Sequence, residues 1–239
     1  MPRRSPKPSY ADSVFINCPF DDAYRPIFRA VVFTVAACGF VPRCTLEHDD
    51  ASQVRIEKIY RLIESSAHSI HDVSRTELDE EHGLPRFNMP LELGVFLGAK
   101  RFGRAPHPKK RCLILDRERY RFQKFISDLA GQDIKAHGNQ PLEAIRATRD
   151  WLRGAAKSGK LPSGAHLAAD YSRFTDEVPA LCTAAKLSPE HLTFRDYYEL
   201  VSRLAGDEPL RKHLPRLCNL PSFHHLRLPR VVASASIPY

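Results

Sequence analysis

One carboxylate stands where carboxylates are rarely found. Residues 86–103, RFNMPLELGVFLGAKRFG, have the spacing of a buried helix. Leu91, Val95 and Phe96 make an apolar face, and Gly94 and Gly98 admit close packing, yet Glu92 sits among them. Asn88 suits an N-cap and Pro90 is tolerated in a first turn, so Glu92 is expected near the positive end of the helix dipole. The dipole favours its ionised form and apolar neighbours oppose it. Asn88, four residues earlier, is expected on the same face. A carboxylate in a small dry pocket can attack, or support electrostatically, a sugar carbon that gains oxocarbenium character as its glycosidic bond breaks. A glutamate at a helix start can equally cap or pair with a cation, and the spacing alone leaves both readings open.

Two further segments carry groups that could join it. Asn17-Cys18-Pro19-Phe20 leaves an apolar run, and His71-Asp72 ends another. Arg86 precedes the helix and suits a phosphate. His68 and His71 alternate with Asp72, but no third ligand has matching spacing, so no metal site is predicted.

The elements that must position these groups follow from periodicity. Apolar runs at 13–18, 40–44, 68–73, 111–116 and 132–136 read as strands, the second an edge strand because of Pro42. Between and after them, helices are expected from Asp21 or Asp22 to Cys38, over 54–64, from Asn88, over 120–129 and over 141–153. Strict β-α alternation predicts a parallel five-stranded sheet flanked by helices on both faces. In such a sheet ligands bind beyond the carboxyl ends of the strands, where Asn17, Asp72 and the helix of Glu92 should meet. A linker-like run, AAKSGKLPSG, then leads to two helices, about 164–185 and 189–204. The expected organisation is a basic N-terminal tail at 1–11, an α/β domain at 12–155, a helical C-terminal extension at 156–204 and a basic, proline-containing, poorly ordered tail at 205–239.

The formal net charge of +8 belongs to the ends. Residues 1–11 carry Arg3, Arg4 and Lys7 with no acid before Asp12, and residues 209–239 carry five basic residues and no acid, which leaves the body neutral. Basic tails can hold polyanions loosely or simply stay solvated. The same two readings apply to the loop holding Lys100, Arg101, Arg104, Lys109 and Lys110. The longest apolar stretch, Ala30 to Val41, is too short for a membrane span, and no leader is predicted. The expectation is a cytoplasmic protein with no membrane contact. Its six cysteines lack CxxC spacing and read as reduced thiols, mostly buried.

The segment NMPLELGVFLGAK, followed by the strand RCLILD and preceded by SVFINCPFDD and by His71-Asp72, resembles the nucleoside 2-deoxyribosyltransferase family over roughly residues 12–140. It also resembles Toll/interleukin-1-receptor-like (TIR-like) domains, which share a flavodoxin-like architecture and use one glutamate to cleave NAD. The resemblance implies a flavodoxin-like fold, Glu92 as nucleophile or oxocarbenium stabiliser, and Asp72 as the carboxylate that contacts the leaving base or ribose. It further implies a nucleoside pocket lined by Asn17, Cys18, Pro19 and Phe20, with His71 on its rim and Asn88 beside Glu92. The transferases carry an Asp-Gly pair where this chain has Arg86, which shifts the expected substrate toward nucleotides, or NAD as substrate rather than cofactor, and toward water as acceptor. The expected activity is an N-glycosidase or (deoxy)ribosyltransferase. The resemblance also implies a homodimer or larger assembly and a role as a bacterial effector of defence against phage, working with a partner protein or nucleic acid. Two rival readings are a non-catalytic sensor of a nucleotide signal and a nucleic-acid-binding accessory protein acting through its basic tails.

Overall fold

The computed structural model describes residues 8–47, 50–78, 83–156 and 161–204. Five parallel strands, β1 (Ser13–Asn17), β2 (Val41–Arg43), β3 (His68–Asp72), β4 (Arg111–Asp116) and β5 (Lys135–Ala136), form one sheet in the order β2-β1-β3-β4-β5. This is the flavodoxin-like arrangement, and the chain reverses its direction of winding between β1 and β3. The two strands pair from Val14 with His68 to Asn17 with His71, so both end level at one crevice. The described residues add six helices: α1 (Arg25–Ala37), α2 (Arg55–Ser65), α3 (Asn88–Phe102), α4 (Pro141–Arg153), α5 (Gly164–Ala185) and α6 (Phe194–Leu204).

Helices α2 and α3 share one face of the sheet. Ile59, Leu62 and Ile63 of α2 and Phe96 of α3 close over Phe15 of β1, and Leu93 closes over Val73 and Ile114. Helices α1 and α4 cover the other face. The helical extension does not stand apart from them. Phe174 of α5 stacks on Phe33 of α1 at 5.6 Å, Phe194 of α6 lies 6.1 Å from Phe28, and the Tyr171 and Tyr197 hydroxyls donate to the carbonyls of Pro26 and Arg29. Helices α5 and α6 therefore form a third layer over α1 and share its core. No helix among the described residues is long and apolar enough to cross a membrane.

Several expectations are corrected. The segment 120–129 is not a helix but two 3₁₀ turns, Arg121–Lys124 and Ser127–Leu129. Its closures are mostly i to i+3, because Arg121 and Phe122 both turn inward, one to ion-pair partners and one to the core. Strand β5 keeps two residues, the ones that align with Leu115 and Asp116. Helix α6 begins at Phe194, after a reciprocal cap in which the Thr193 hydroxyl takes the Asp196 amide and the Asp196 carboxylate takes the Thr193 amide. Helix α1 begins at Arg25, and Asp21 instead closes the preceding turn on the Tyr24 amide. Lys110 is not a solvated loop residue. It is 1% exposed, donates to the carbonyls of Ile63 and Ser66 at the end of α2, and lies over the Tyr10 and Phe96 rings at 5.1 and 5.2 Å. The expected tail at 205–239, and residues 1–7 of the N-terminal one, lie outside the described residues.

Candidate functional site

The side chains at the carboxyl ends of the strands are organised in three groups. Asn17 closes β1, is 2% exposed, and donates through Nδ2 to His71 Nδ1 at 3.0 Å and to the Met89 carbonyl at 3.2 Å. One amide thus ties β1, β3 and the first turn of α3 together. Because His71 Nδ1 accepts, its proton sits on Nε2. That nitrogen is buried without a hydrogen-bond partner, with the Phe15 and Phe96 rings 5.9 and 5.2 Å from the imidazole. Burial holds the His71 pKa down at about 3, so the ring is neutral.

Asp72 closes β3 and is fully buried. Its Oδ2 accepts from the Tyr24 hydroxyl at 2.7 Å and from His137 Nε2 at 3.0 Å, and its Oδ1 accepts from the amide and hydroxyl of Ser74. His137 Nδ1 accepts the Asn139 amide, which fixes Nε2 as the donor toward Asp72. Four protein donors satisfy this carboxylate, so contact with a leaving base would require it to give one up. Its place is that of a positioning residue, tying the approach to α1, the exit of β3 and the segment after β5. Asp116, closing β4, forms the third group. Its Oδ1 accepts from Arg121 Nη1 at 2.8 Å and from the Arg117 amide, and its Oδ2 is buried without a partner. Arg121 also reaches the Val73 carbonyl, Thr76 and Glu77, while Arg75 pairs with Asp21 at 3.2 Å. These bonds fasten residues 73–77 across the ends of the strands.

Glu92 is the fifth residue of α3 and differs from both aspartates. It is 3% exposed and makes no hydrogen bond among the described residues. Burial pushes its pKa up to about 7, with the Arg55 guanidinium opposing the rise. Apolar surroundings therefore prevail over the helix end, a full turn away. Glu92 shares the inward face of α3 with Met89, Leu93 and Phe96. Asn88 is not the N-cap, which is Phe87; it opens the helix on the same side as Glu92 but is exposed, because it stands in the first turn, a full turn before the packed part of α3. Leu91 is exposed, at 58%, and a Cβ at Gly94 or Gly98 would meet nothing within 4 Å, so neither glycine serves close packing among the described residues.

Of the remaining expected site residues, Cys18 and Pro19 are buried, Phe20 is half-buried against Phe28 at 5.3 Å, and Arg86 is exposed ahead of α3. The Cys18 thiol is pushed well up, first by burial and then by the fields of Asp72, Cys44 and Glu92. The loop after β1 thus lies within electrostatic reach of two of the carboxylates. Tyr24, Arg55, Asp116, Arg121 and His137 escape motif reading. The rule that ligands gather at strand carboxyl ends reaches Asp116 and His137, whereas Tyr24 and Arg55 have no pattern of their own. Two surface clefts lie elsewhere. One of about 290 Å³ separates α2 from α3 beside Glu64 and Val95, and one of about 620 Å³ opens beside Cys112 and Trp151, where β5 is too short to cover β4. Among the described residues no cluster of three His, Cys, Asp or Glu side chains is placed to hold a metal.

Chemically, the crevice offers one carboxyl poised between its two forms at neutral pH and a neutral imidazole held by Asn17. Comparison with protein-family models, with curated proteins and with solved structures returns no match.

Proposed function

We propose that the protein cleaves or transfers at the N-glycosidic bond of a nucleotide, with Glu92 as the group that meets the sugar carbon. The observation that carries this reading is a buried carboxyl without a hydrogen-bond partner among the described residues, at the β1/β3 crevice and with a pKa of about 7. A structural glutamate at that depth is normally paired, and an unpaired one is kept at a cost that a developing positive charge can recover. In the step proposed, the bond from C1′ to the base nitrogen breaks and its electron pair leaves with the base. The positive charge that grows on C1′ is met by the ionised Glu92. Water, or a second base, then bonds to C1′, and water gives up its proton to the medium or to the departed base. With NAD the leaving nicotinamide is neutral and needs little acid assistance.

The test is release of free base, followed by chromatography, from NAD, ATP, dATP and deoxynucleosides with the wild type, Glu92→Gln and Glu92→Ala. Release by the wild type alone is the expected outcome, and equal release by Glu92→Gln would sink the reading. A second reading, a sensor that binds a nucleotide without cleaving it, draws on Asp72 being fully engaged with protein donors, which leaves Glu92 without a second carboxylate to assist it. Saturable nucleotide binding without base release would favour it. A cytoplasmic homodimer acting as a defence effector agrees with the leading reading, since loss of a nucleotide pool arrests a cell. Nucleic-acid binding by the tails would instead show as salt-sensitive binding lost on trimming residues 209–239.

A further inference from the structure

Strand β4 is only partly paired on its outer side. Lys135 and Ala136 of β5 align with Leu115 and Asp116, and no described residue pairs with Arg111 to Ile114 on that side. The Arg111 amide and the Leu115 carbonyl turn toward β3, where they meet the Ala67 carbonyl and the Val73 amide. The Asp116 carbonyl turns the other way and accepts the His137 amide. Backbone groups alternate in direction along a strand, so Cys112 and Ile114 turn theirs outward with Asp116. The pairing of Leu115 with Lys135 engages the Ile114 carbonyl. The Cys112 amide, the Cys112 carbonyl and the Ile114 amide then have no strand partner among the described residues. They lie in the cleft of about 620 Å³ whose lining includes Leu113, Ala147 and Trp151. Unpaired backbone groups beside an apolar wall are a template for one more strand, because main-chain pairing satisfies the edge and alternate side chains cover the wall.

The open stretch of β4 spans four residues, about 13 Å, so its occupant is a short strand. The chain carries such a segment outside the described residues. Between Pro229 and Pro238 run Val231-Val232-Ala233-Ser234-Ala235-Ser236-Ile237, with no charge and no proline. A period of two puts Val231, Ala233, Ala235 and Ile237 on one face and Val232, Ser234 and Ser236 on the other. The first face is apolar and small enough to lie against Leu113, Ala147 and Trp151. The serine face matches the side of the sheet on which half-buried Cys112 projects, opposite Leu113. Charge agrees with this placement. Asp133 and Asp150 line the cleft, largely exposed and each beside one cation, Lys135 and Arg149. Residues 209–239 carry no acid, and Arg227 and Arg230 come directly before the segment. The connection also reaches. Residues 205–230, which follow the end of α6, extend to about 90 Å, against about 40 Å across a domain of this size. We propose that residues 231–237 add to the outer edge of β4 as a sixth strand seated in this cleft, with 205–230 as its tether. The proposal is independent of Glu92, since Arg111 to Ile114 form the end of β4 away from the crevice.

The test uses the intact chain. Amide hydrogen exchange at Cys112, at Ile114 and over residues 231–237 is followed by NMR in the wild type and two variants. Ser234→Pro removes a ladder donor, and Ala235→Asp sets a charge on the apolar face. In the wild type, residues 231–237 are expected to exchange well below the free-chain rate. Each variant is expected to speed exchange at Cys112 and Ile114 by about 10- to 100-fold, while the amide of Ile70, inside the sheet, keeps its rate. Free-chain exchange over 231–237 in the wild type, or rates at Cys112 and Ile114 that neither variant changes, overturns the proposal. Protection that falls away on dilution also overturns it, since the strand would then come from a second copy of the chain.

Discussion

Glu92, the residue proposed to meet the sugar carbon, makes the stability of the fold depend on pH. Its pKa rises from 4.5 to about 7 on folding, so the folded chain holds a proton that the unfolded chain has released across that interval. Stability from this group is complete below pH 4.5 and is lost as pH rises through 7, on the order of 3 kcal/mol in all. Glu92→Gln is therefore expected to raise the denaturation midpoint at pH 8 and to leave it nearly unchanged at pH 4, as urea melts at the two pH values will show. Activity should move the opposite way. If the ionised form supports the oxocarbenium carbon, kcat/KM rises with pH through about 7, and Glu92→Gln lowers it by about 100-fold or more. His71 works in the other sense. Its pKa falls to about 3, so its contribution is present above the unfolded value of 6.5 and is lost as pH drops below it. Between pH 4.5 and 6.5 the two slopes oppose each other, and a flat stability profile is expected there.

The strands and helices act by fixing these groups against one another. Asn17 joins β1 to His71 of β3 and to the first turn of α3, which carries Glu92. Asn17→Ala orphans two buried acceptors, each at about 1–3 kcal/mol, and should raise amide hydrogen exchange at the start of α3 more than elsewhere. At the opposite end of the sheet Lys110 closes the carbonyl terminus of α2 from within the core. Burial lowers its pKa to about 8, so its ammonium is held against the desolvation that opposes it. With a folded pKa below the unfolded one, stability rises as pH climbs from about 8 to 10.5. Lys110→Met keeps the aliphatic stem and removes the donor, leaving the Ile63 and Ser66 carbonyls open, and this trend should vanish with it.

Across the molecule, the third layer is part of the stability rather than an attachment. Tyr171, Phe174, Phe194 and Tyr197 are all buried against α1 or one another, and at about 2–3 kcal/mol each their burial matches the whole stability of an ordinary domain. A chain ending at Ala156 is expected to lose cooperative thermal unfolding, and Phe174→Ala to cost about 3–5 kcal/mol in the intact chain. A truncated chain that melts cooperatively at the full-length temperature would show that residues 1–156 are self-sufficient.

The pattern of the sequence by itself determined the sheet, because five short apolar runs separated by amphipathic stretches have few other ways to bury their faces. It also determined that Glu92 would stand in apolar surroundings, since Val95 and Phe96 follow it at helical spacing. Periodicity failed where long-range bonds prevail over local propensity. Arg121 is drawn inward by Asp116 and breaks the expected helix into turns, and β5 shrinks to the residues that find partners on β4. It failed again for the site's polar groups. Nothing local distinguishes Asp72, which accepts four hydrogen bonds from Tyr24, Ser74 and His137, from Glu92, which has no such partner among the described residues. Those differences arise because hydrogen bonds and fields act between residues 48 to 65 positions apart, or on neighbouring helices, and such distances close only when the chain folds.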